Sequence, residues 1–375
     1  MKKTKKMNDF LTRYKILPVS RTLEYKVKTW LTPLRKLIVH LKTEKRCPLP
    51  VPFSRRLKAW NLGFTSMSYI LYDLEKNNPE DYLRDFSDIN FIMNNPGAAS
   101  INDKFNFSQS MRLLGLPSPE IFLLIDRGAV LYSSKGTPDG NLKDAMTTLL
   151  ENKKRLVLKP AFRGAGFGVF FIETQEHIFL INGIHAEPSE ILSFLKKQRY
   201  YLVTEFIQQA PYAGKINPHT TNTVRILTIR IETSKTPVIA ASSHRIGSRA
   251  SFPLDNFHGG LGGLSSRINP VSGELGPGIA LSESGNLLLH KRHPETGSQI
   301  EGVKVPHWES TKKMVLTAAS HFAHSPYVGW DLVITGKGCC FLEGNSPPGT
   351  AVWQVHEPLL LDQRLRSFYR DRGML

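Results

Sequence analysis

The chain has 375 residues, 41% hydrophobic and 22% charged; this is an ordinary globular composition, at a length that exceeds what one hydrophobic core usually serves. Its formal net charge of +17 is uneven, because residues 1–60 hold 17 Lys+Arg against three acids (Asp9, Glu24 and Glu44) while the remainder is close to neutral. No apolar run approaches the roughly 20 residues needed to cross a bilayer, and MKKTKK leads into Asp9, Arg13 and Lys15 where a signal peptide needs an apolar core.

These features predict a cytoplasmic protein of two or three lobes. Cys47, Cys339 and Cys340 are odd in number and the last two are neighbours, which suits neither a disulfide framework nor a zinc site. Buried, reduced thiols are expected instead.

Within the basic segment, Leu23, Val27, Trp30, Leu34, Leu37 and Leu41 draw one apolar stripe down a helix face. Thr32-Pro33 is expected to cap a second helix, since proline belongs in a first turn. Two readings follow: a basic amphipathic element lying on an anionic inner membrane face or an acidic partner, or a helical hairpin packed on the main body with its basic face in water. Nucleic acid ranks below both, because no recognised binding motif accompanies the charge.

Residues 60–86 read as helical and NNPGAAS (94–100) as a loop. A helix follows over about 103–114, stopped by Gly115 and Pro117, and EIFLLI reads as a buried strand. A helix near 140–152 leads to the strand RLVLKP, a glycine loop and the strand GVFFIE; a short helix near 188–198 precedes the strand YYLVTEFI. NTVRILTIRIE and TPVIAASSHRI are strands bounded by turn residues, FHGGLGGLSSRIN is a second glycine-rich loop, and NPVSGEL is a hairpin turn. A helix at 309–322 precedes YVGWDLVIT and CCFLEGN, a hairpin over Gly336 and Gly338. The order predicts an α+β protein with antiparallel sheets rather than repeated βαβ units.

The sharpest local feature is LKPAFRGAGFGV, in which Gly164, Gly166 and Gly168 alternate directly after Lys159. The run lacks the Gly-Lys-Ser/Thr ending of a P-loop and the G-x-G-x-x-G spacing of a dinucleotide fold, yet it leaves a backbone free to lie against phosphate. A nucleoside triphosphate with magnesium requires cations, a mobile lid, a slot for the base and oxygen ligands. Lys104 and Lys159 are the candidate phosphate cations, acting as point charges. Glu205, Phe206 and Ile207 end a strand where backbone groups can meet a base edge. Asp331 in one strand of the last hairpin, and Glu343 and Asn345 two residues apart in the other, are the candidate metal ligands.

At this point the order of parts resembles the ATP-grasp superfamily, in its sugar-transfer-associated branch. DKFNFSQSMRLLGLPSP resembles the entry helix, LKPAFRGAGFGV the phosphate lid and EFI the adenine hinge; NPHTTNTVRILTIR, HPETG, VPHW and GWDLVITGKGCCFLEGNSPPGT resemble signatures of the branch. The likeness covers roughly residues 100–350.

It implies an ATP-grasp fold of two α+β lobes around an ATP cleft: a basic helical segment over 1–95, an N-lobe over 96–205, and a C-lobe with the metal-binding hairpin over 206–375. It further implies ATP and Mg2+ as cofactors, the metal on Asp331, Glu343 and Asn345, and Arg225 acting on the transferring phosphoryl group. The activity implied is an ATP-dependent carboxylate-amine ligase working through an acyl phosphate, on a sugar acid, amino acid or peptide-like substrate with an amine acceptor, in surface polysaccharide modification. His258, Gly259 and Gly260 are placed on the acceptor side; Arg267 and His219 read first as a surface arginine and a turn histidine, and second as further substrate contacts. The alternatives are phosphoryl transfer to a hydroxyl, and a non-catalytic nucleotide-binding module recruited to a membrane glycosylation complex.

Overall fold

The computed structural model describes residues 13, 32–45, 47–85, 87, 98–134, 141–162, 164, 166–175, 178–231 and 235–375. The chain begins with helices α1 (Thr32–Lys45), α2 (Phe53–Asn61), α3 (Ser66–Leu71), α4 (Ala98–Asn102) and α5 (Lys104–Leu113). Next come strands β1 (Ile121–Asp126) and β2 (Ala129–Ser133), helix α6 (Leu142–Asn152), strands β3 (Arg155–Pro160), β4 (Phe170–Gln175), β5 (Ile178–Ile181) and β6 (Ile184–Ala186), helix α7 (Pro188–Leu195) and strand β7 (Tyr201–Glu205). After helix α8 (Pro211–Ile216) the chain forms β8 (Val224–Arg230), β9 (Pro237–Ile246), β10 (Leu264–Ile268), β11 (Leu275–Leu281) and β12 (Leu287–His290). It ends with α9 (Trp308–His321), β13 (Tyr327–Thr335), β14 (Gly338–Asn345), α10 (Ala351–Gln354) and α11 (Gln363–Asp371).

Two compact units result. The first comprises Asn102–Gln208 and Cys340–Glu343, with the described part of residues 1–23. Its sheet runs β2-β1-β7-β3-β4-β5-β6, with antiparallel pairing throughout. Leu156, Leu158, Phe170, Ile172 and Val203 are buried with Met146 and Leu149 of α6 and Ile191 and Phe194 of α7, each fully buried side chain contributing roughly 1.5–3 kcal/mol. Strand alternation turns Arg155, Val157 and Lys159 to the opposite face, beside Leu202 and Thr204 in the β3–β7 register. Leu202 is buried there with Ile121 and Ala161, against Phe105 of α5. Asp103 starts α5 by accepting from the Phe105 and Asn106 amides at 2.9 and 3.4 Å, an N-cap that sets Lys104 at the first helical position.

The second unit comprises Glu24–Ile101, Gln209–Cys339 and Gly344–Leu375. Its sheet order is β12-β11-β10-β9-β8-β13-β14. Leu227, Ile229 and Tyr327 of this sheet share a core with Phe368 and Tyr369 of α11 and with Phe64, Tyr72 and Leu83. Gln354 ties the early segment in, accepting from the Leu83 amide at 2.7 Å and donating to its carbonyl at 3.1 Å. Residues 49–83 are therefore built into this unit's core, whereas the sequence reading sets 1–95 apart as a segment.

The α+β expectation with antiparallel sheets holds, and every strand and helix named from residue 103 onward is present. The helical reading of 60–86 is corrected: α2 ends before Gly63, which has a positive φ of 83°, α3 starts at the Thr65 N-cap, and beyond Leu71 the described residues form turns and a short 3-10 helix at Pro79–Asp81. FHGGLGGLSSRIN is only half a loop, since Leu264–Ile268 is β10. The hairpin strands β2, β5 and β6 and helix α8 went unanticipated, being too short to show a period. Helix α1 is described from Thr32 onward; the residues before it, with Leu23, Val27 and Trp30, and hence the expected Thr-Pro cap, lie outside the described residues. Cys339 and Cys340 are buried free thiols and Cys47 is half-buried. Among the described residues, no helix is long and apolar enough to cross a membrane.

Candidate functional site

The predicted residues fall into two sets, one in each unit. In the first unit, β3 delivers Lys159 half-buried on the face not covered by α6 and α7, and α5 delivers Lys104, only 6% exposed. Lys104 Nζ pairs with Glu343 Oε2 at 3.0 Å. Its backbone amide donates to Ala161 O at 3.0 Å, which ties the helix start to the entry of the glycine loop. Burial, with the Lys104 charge adding to it, lowers the Lys159 pKa to about 8; Glu343 and Cys340 oppose the shift. Two ammonium groups and one carboxylate leave a net positive site, which favours an anion.

The described residues of the glycine loop are held at its two ends. Gly166 and Gly168 have φ of 73° and 75°, a region that costs other residues about 1–2 kcal/mol. Tyr201 Oη donates to Gly168 O, and Ala161 N donates to Tyr200 O at 2.8 Å. Gly164 is exposed, and Phe162, 56% exposed, meets only the Tyr200 ring edge among the recorded ring contacts. Arg163 and Ala165 lie outside the described residues.

Glu205 and Phe206 close β7 on the same sheet. Phe206 sits edge-on to Phe171 at 5.9 Å and beneath the Arg155 guanidinium at 3.9 Å, while Glu205 accepts from the Glu120 amide at 3.2 Å. Glu120, Phe122, Arg155, Glu205 and Phe206 line a cavity of about 290 Å³. Ile207 is half-buried just beyond.

The Lys159 shift carries a pH signature. Below about pH 8 the free site holds a protonated Lys159, and above it the proton is lost, whereas a bound phosphate favours the charged amine. Anion affinity is therefore expected to be highest below that pH and to fall about tenfold per unit above it, until the amine of the complex titrates as well. Calorimetry in buffers of different ionisation enthalpy at about pH 9 should show proton uptake on ATP binding, absent in Lys159→Ala. Uptake that survives this substitution would place the proton on another group.

In the second unit, Asp331 of β13 stands directly across from Arg225 of β8. Arg225 Nη1 donates to both carboxylate oxygens at 3.0 Å, and its alkyl-guanidinium arm lies beside Trp353, ring centroid 5.6 Å away. Arg225 Nε is buried without a hydrogen-bond partner. Two further residues, which sequence reasoning missed, complete the cluster. Arg245 Nη2 donates to Asp331 Oδ2 at 3.2 Å and to Thr223 Oγ1 at 2.7 Å, and the Thr223 hydroxyl donates to Asp255 Oδ2 at 2.5 Å. Asp331, Asp255 and Arg245 are respectively 2%, 4% and 9% exposed. Buried charges of this kind persist only when paired. An arginine closing the apolar strand TPVIAASSHRI at the same parity as Ser243 was the available signal.

Asn345 Nδ2 approaches Asp331 Oδ2 at 3.5 Å. Among the described residues, no three of His, Cys, Asp and Glu converge as a metal-binding group. Magnesium does not require this, since it takes one or two carboxylates and completes its shell with phosphate and water. Asp331, Asn345 and Glu343 offer only hard oxygen donors, the latter two sharing one face of β14. Asp331 and Asn345 in the second unit, and Glu343 in the first, are each donors of the class that magnesium takes, and each carboxylate is paired with a cation of the chain.

The predicted substrate residues are less gathered. His258 and Gly259–Gly260 form a short 3-10 turn with φ of 48°, 66° and 92°, and a Cβ on Gly260 would stand 2.9 Å from Leu281 N. The glycines that follow are equally confined: a Cβ on Gly262 or Gly263 would lie 2.1 Å from Asn256 O or 2.4 Å from Ile246 O. Close packing therefore accounts for this glycine run. Arg267, on an exposed position of β10, pairs with Glu357 at 2.6 Å. His219 is exposed in a turn built by Asn217 and Asn222: Asn222 Nδ2 donates to Gln209 Oε1, Ala213 O and Asn217 O, and its Oδ1 accepts from Gly247 N at 2.9 Å. The buried His293 joins that network, 2.8 Å from Gly247 O. The asparagines and His293 of these motifs thus brace the turn that leads into β8 and Arg225.

A family model for sugar-transfer associated ATP-grasp matches residues 89–370. Sequence comparison with the curated proteins gives no match. Among solved structures, the chain is similar to the D-alanine-D-alanine ligase from Coxiella burnetii, at 11% identity over 74% of this chain and 59% of that one, with a TM-score of 0.39. It is similar to the VanG D-Ala:D-Ser ligase from Enterococcus faecalis, at 13% identity, 73% and 63% coverage and a TM-score of 0.43. The biotin carboxylase from Campylobacter jejuni gives 10% identity, 72% and 46% coverage and a TM-score of 0.41. The chain spans less than two thirds of the length of each.

Proposed function

Because the chain belongs to the sugar-transfer-associated ATP-grasp family, we propose that it is an ATP- and magnesium-dependent ligase that joins a carboxylate to an amine through an acyl phosphate. The observation that carries the reading is Arg225, a buried guanidinium fixed by Asp331 with Nε unpartnered. A guanidinium beside Asp331 with a donor still to offer can meet developing negative charge on a transferring group.

In this reading Lys104 and Lys159 hold the triphosphate, Glu205, Phe206 and Ile207 meet the adenine, and the Gly164–Gly168 segment closes over the phosphates. Asp331, Glu343 and Asn345 would hold magnesium, which when bound supplies positive charge to the phosphate oxygens. The substrate carboxylate attacks the γ-phosphorus, ADP departs, and Arg225 takes charge on the transferring group. The amine then attacks the acyl carbon, loses a proton, and expels inorganic phosphate. The acyl phosphate survives only away from water, which gives loop closure a chemical purpose. The donor acid is a sugar acid, amino acid or peptide-like molecule, in surface polysaccharide modification, and His258, Gly259, Gly260 and His219 are its proposed contacts. Arg267 would join them on release from Glu357.

The ligase reading is tested without knowing the amine, because hydroxylamine captures an acyl phosphate as a hydroxamate. Screening uronic acids, amino acids and short peptides, with ATP consumption measured alongside, is expected to give hydroxamate in step with ADP. ADP formed together with a stable phosphorylated alcohol and no hydroxamate would replace the ligase with a kinase.

A further inference from the structure

Helices α1 and α2 form an antiparallel pair. Arg56 Nη1 donates to Glu44 Oε1 at 3.0 Å, and the Trp60 ring meets His40 edge-on at 5.8 Å, so residue 40 faces 60 and 44 faces 56. At 100° per residue these contacts fix the rotation of both helices. Leu41 then lies about 80° to one side of the α1 contact line, and Leu57 and Phe53 lie on the same side of α2, opposite the fully buried Ala59. Ile38 flanks Leu41.

All four are exposed: Ile38 by 43%, Leu41 by 47%, Phe53 by 67% and Leu57 by 42%. An exposed leucine alone means little, but a contiguous apolar strip along two helices is a surface awaiting a partner. Lys42, Lys45 and Lys58 lie around it as exposed cations, within a segment of 17 Lys+Arg and three acids; Arg55 is exposed on the other side of α2 and pairs with Glu75 at 2.9 Å. One of those acids, Glu44, is already neutralised by Arg56.

We infer that the α1–α2 face docks on an anionic lipid surface, Ile38, Leu41, Phe53 and Leu57 entering the headgroup boundary while the surrounding lysines meet lipid phosphates. Charge complementarity selects this occupant. An apolar strip ringed by cations matches an interface with an acyl interior and an anionic surface, and combines the two attractions on which interfacial helices depend. The inference is independent of the ligase chemistry, and its test needs neither nucleotide nor substrate.

The full chain should sediment with vesicles of phosphatidylcholine and phosphatidylglycerol, far less with phosphatidylcholine alone, and less as salt rises. Phe53→Ser with Leu57→Ser should weaken that binding by about tenfold or more, with the unfolding temperature unchanged because both side chains already face water. Separately, Phe53→Trp should shift its added emission to the blue when the mixed vesicles are present. Salt-sensitive binding that ignores the double substitution and leaves the tryptophan emission unmoved would reduce the contact to the basic segment and overturn the proposal. So would an absence of vesicle binding together with self-association that the double substitution abolishes, since a second copy would then cover the strip.

Discussion

Arg225→Ala is expected to lower both ATP consumption and hydroxamate formation by about 10²–10³-fold, the effect of removing one preorganised donor from a developing oxyanion. Arg225 Nη1 is committed to Asp331, so the remaining donors of the fork are those that can serve a ligand. The protein should still fold, because Arg245 stays 3.2 Å from Asp331 and continues to neutralise it. ATP affinity should change little, since Lys104 and Lys159 are intact. Arg225→Lys should recover a small part of the rate: an ammonium carries the charge but cannot bridge a carboxylate and present a planar fork at once. Steady-state rates with each carboxylate donor, read beside thermal unfolding, check this. Near-normal turnover in Arg225→Ala would leave the residue a purely structural partner of Asp331.

Asp331→Asn is expected to have the largest effect on stability, about 3–5 kcal/mol, because it leaves a buried guanidinium without its carboxylate. Asp331 is the meeting point of Arg225, Arg245 and Asn345, and without its charge Arg225 loses this anion while Arg245 keeps Asp255, 3.6 Å away. A loss of this size lowers the unfolding temperature by on the order of 10 °C. Glu343→Gln should cost much less, since Glu343 is half-buried and pairs with a lysine rather than with two buried arginines. Asn345→Ala separates the metal from the fold, as it removes an amide oxygen and no charge: unfolding of the free protein should be close to normal, while the added stabilisation by ATP with magnesium is diminished. Thermal denaturation with and without nucleotide and metal reads all three. An Asp331→Asn protein as stable as the parent would mean that the two arginines find other anions, and would remove Asp331 from the centre of the cluster.

Particular residues show why some of this was legible in one dimension. Strands such as RLVLKP and NTVRILTIR declare themselves because burial on a sheet imposes period two, and Lys159 and Arg225 stand out as charges within those patterns. Asp331 was legible for the same reason, as an acid in YVGWDLVIT. β2, β5 and β6 were not, because strands of three to five residues are shorter than any window in which alternation can be counted. FHGGLGGLSSRIN looked like a single loop because glycine suggests freedom. In the fold, Gly262 and Gly263 instead admit the Asn256 and Ile246 carbonyls where a Cβ would stand, and the chain after them enters a strand.

Composition and periodicity thus established the α+β class, the antiparallel sheets, the basic N-terminal segment and the identity of the charged residues placed in apolar strands, because each of these depends on neighbours within a few positions. Which charges meet was settled by folding. Arg245 and Asp255 join Asp331 across separations of 86 and 32 residues from their partners, Lys104 meets Glu343 from the far end of the chain, and residues 49–83 find their core against Gln354 and α11. Pairing of buried charges is a property of distance in space, where desolvation makes an unpaired group costly, and distance in space is written by strand register and helix packing rather than by the local order of residues.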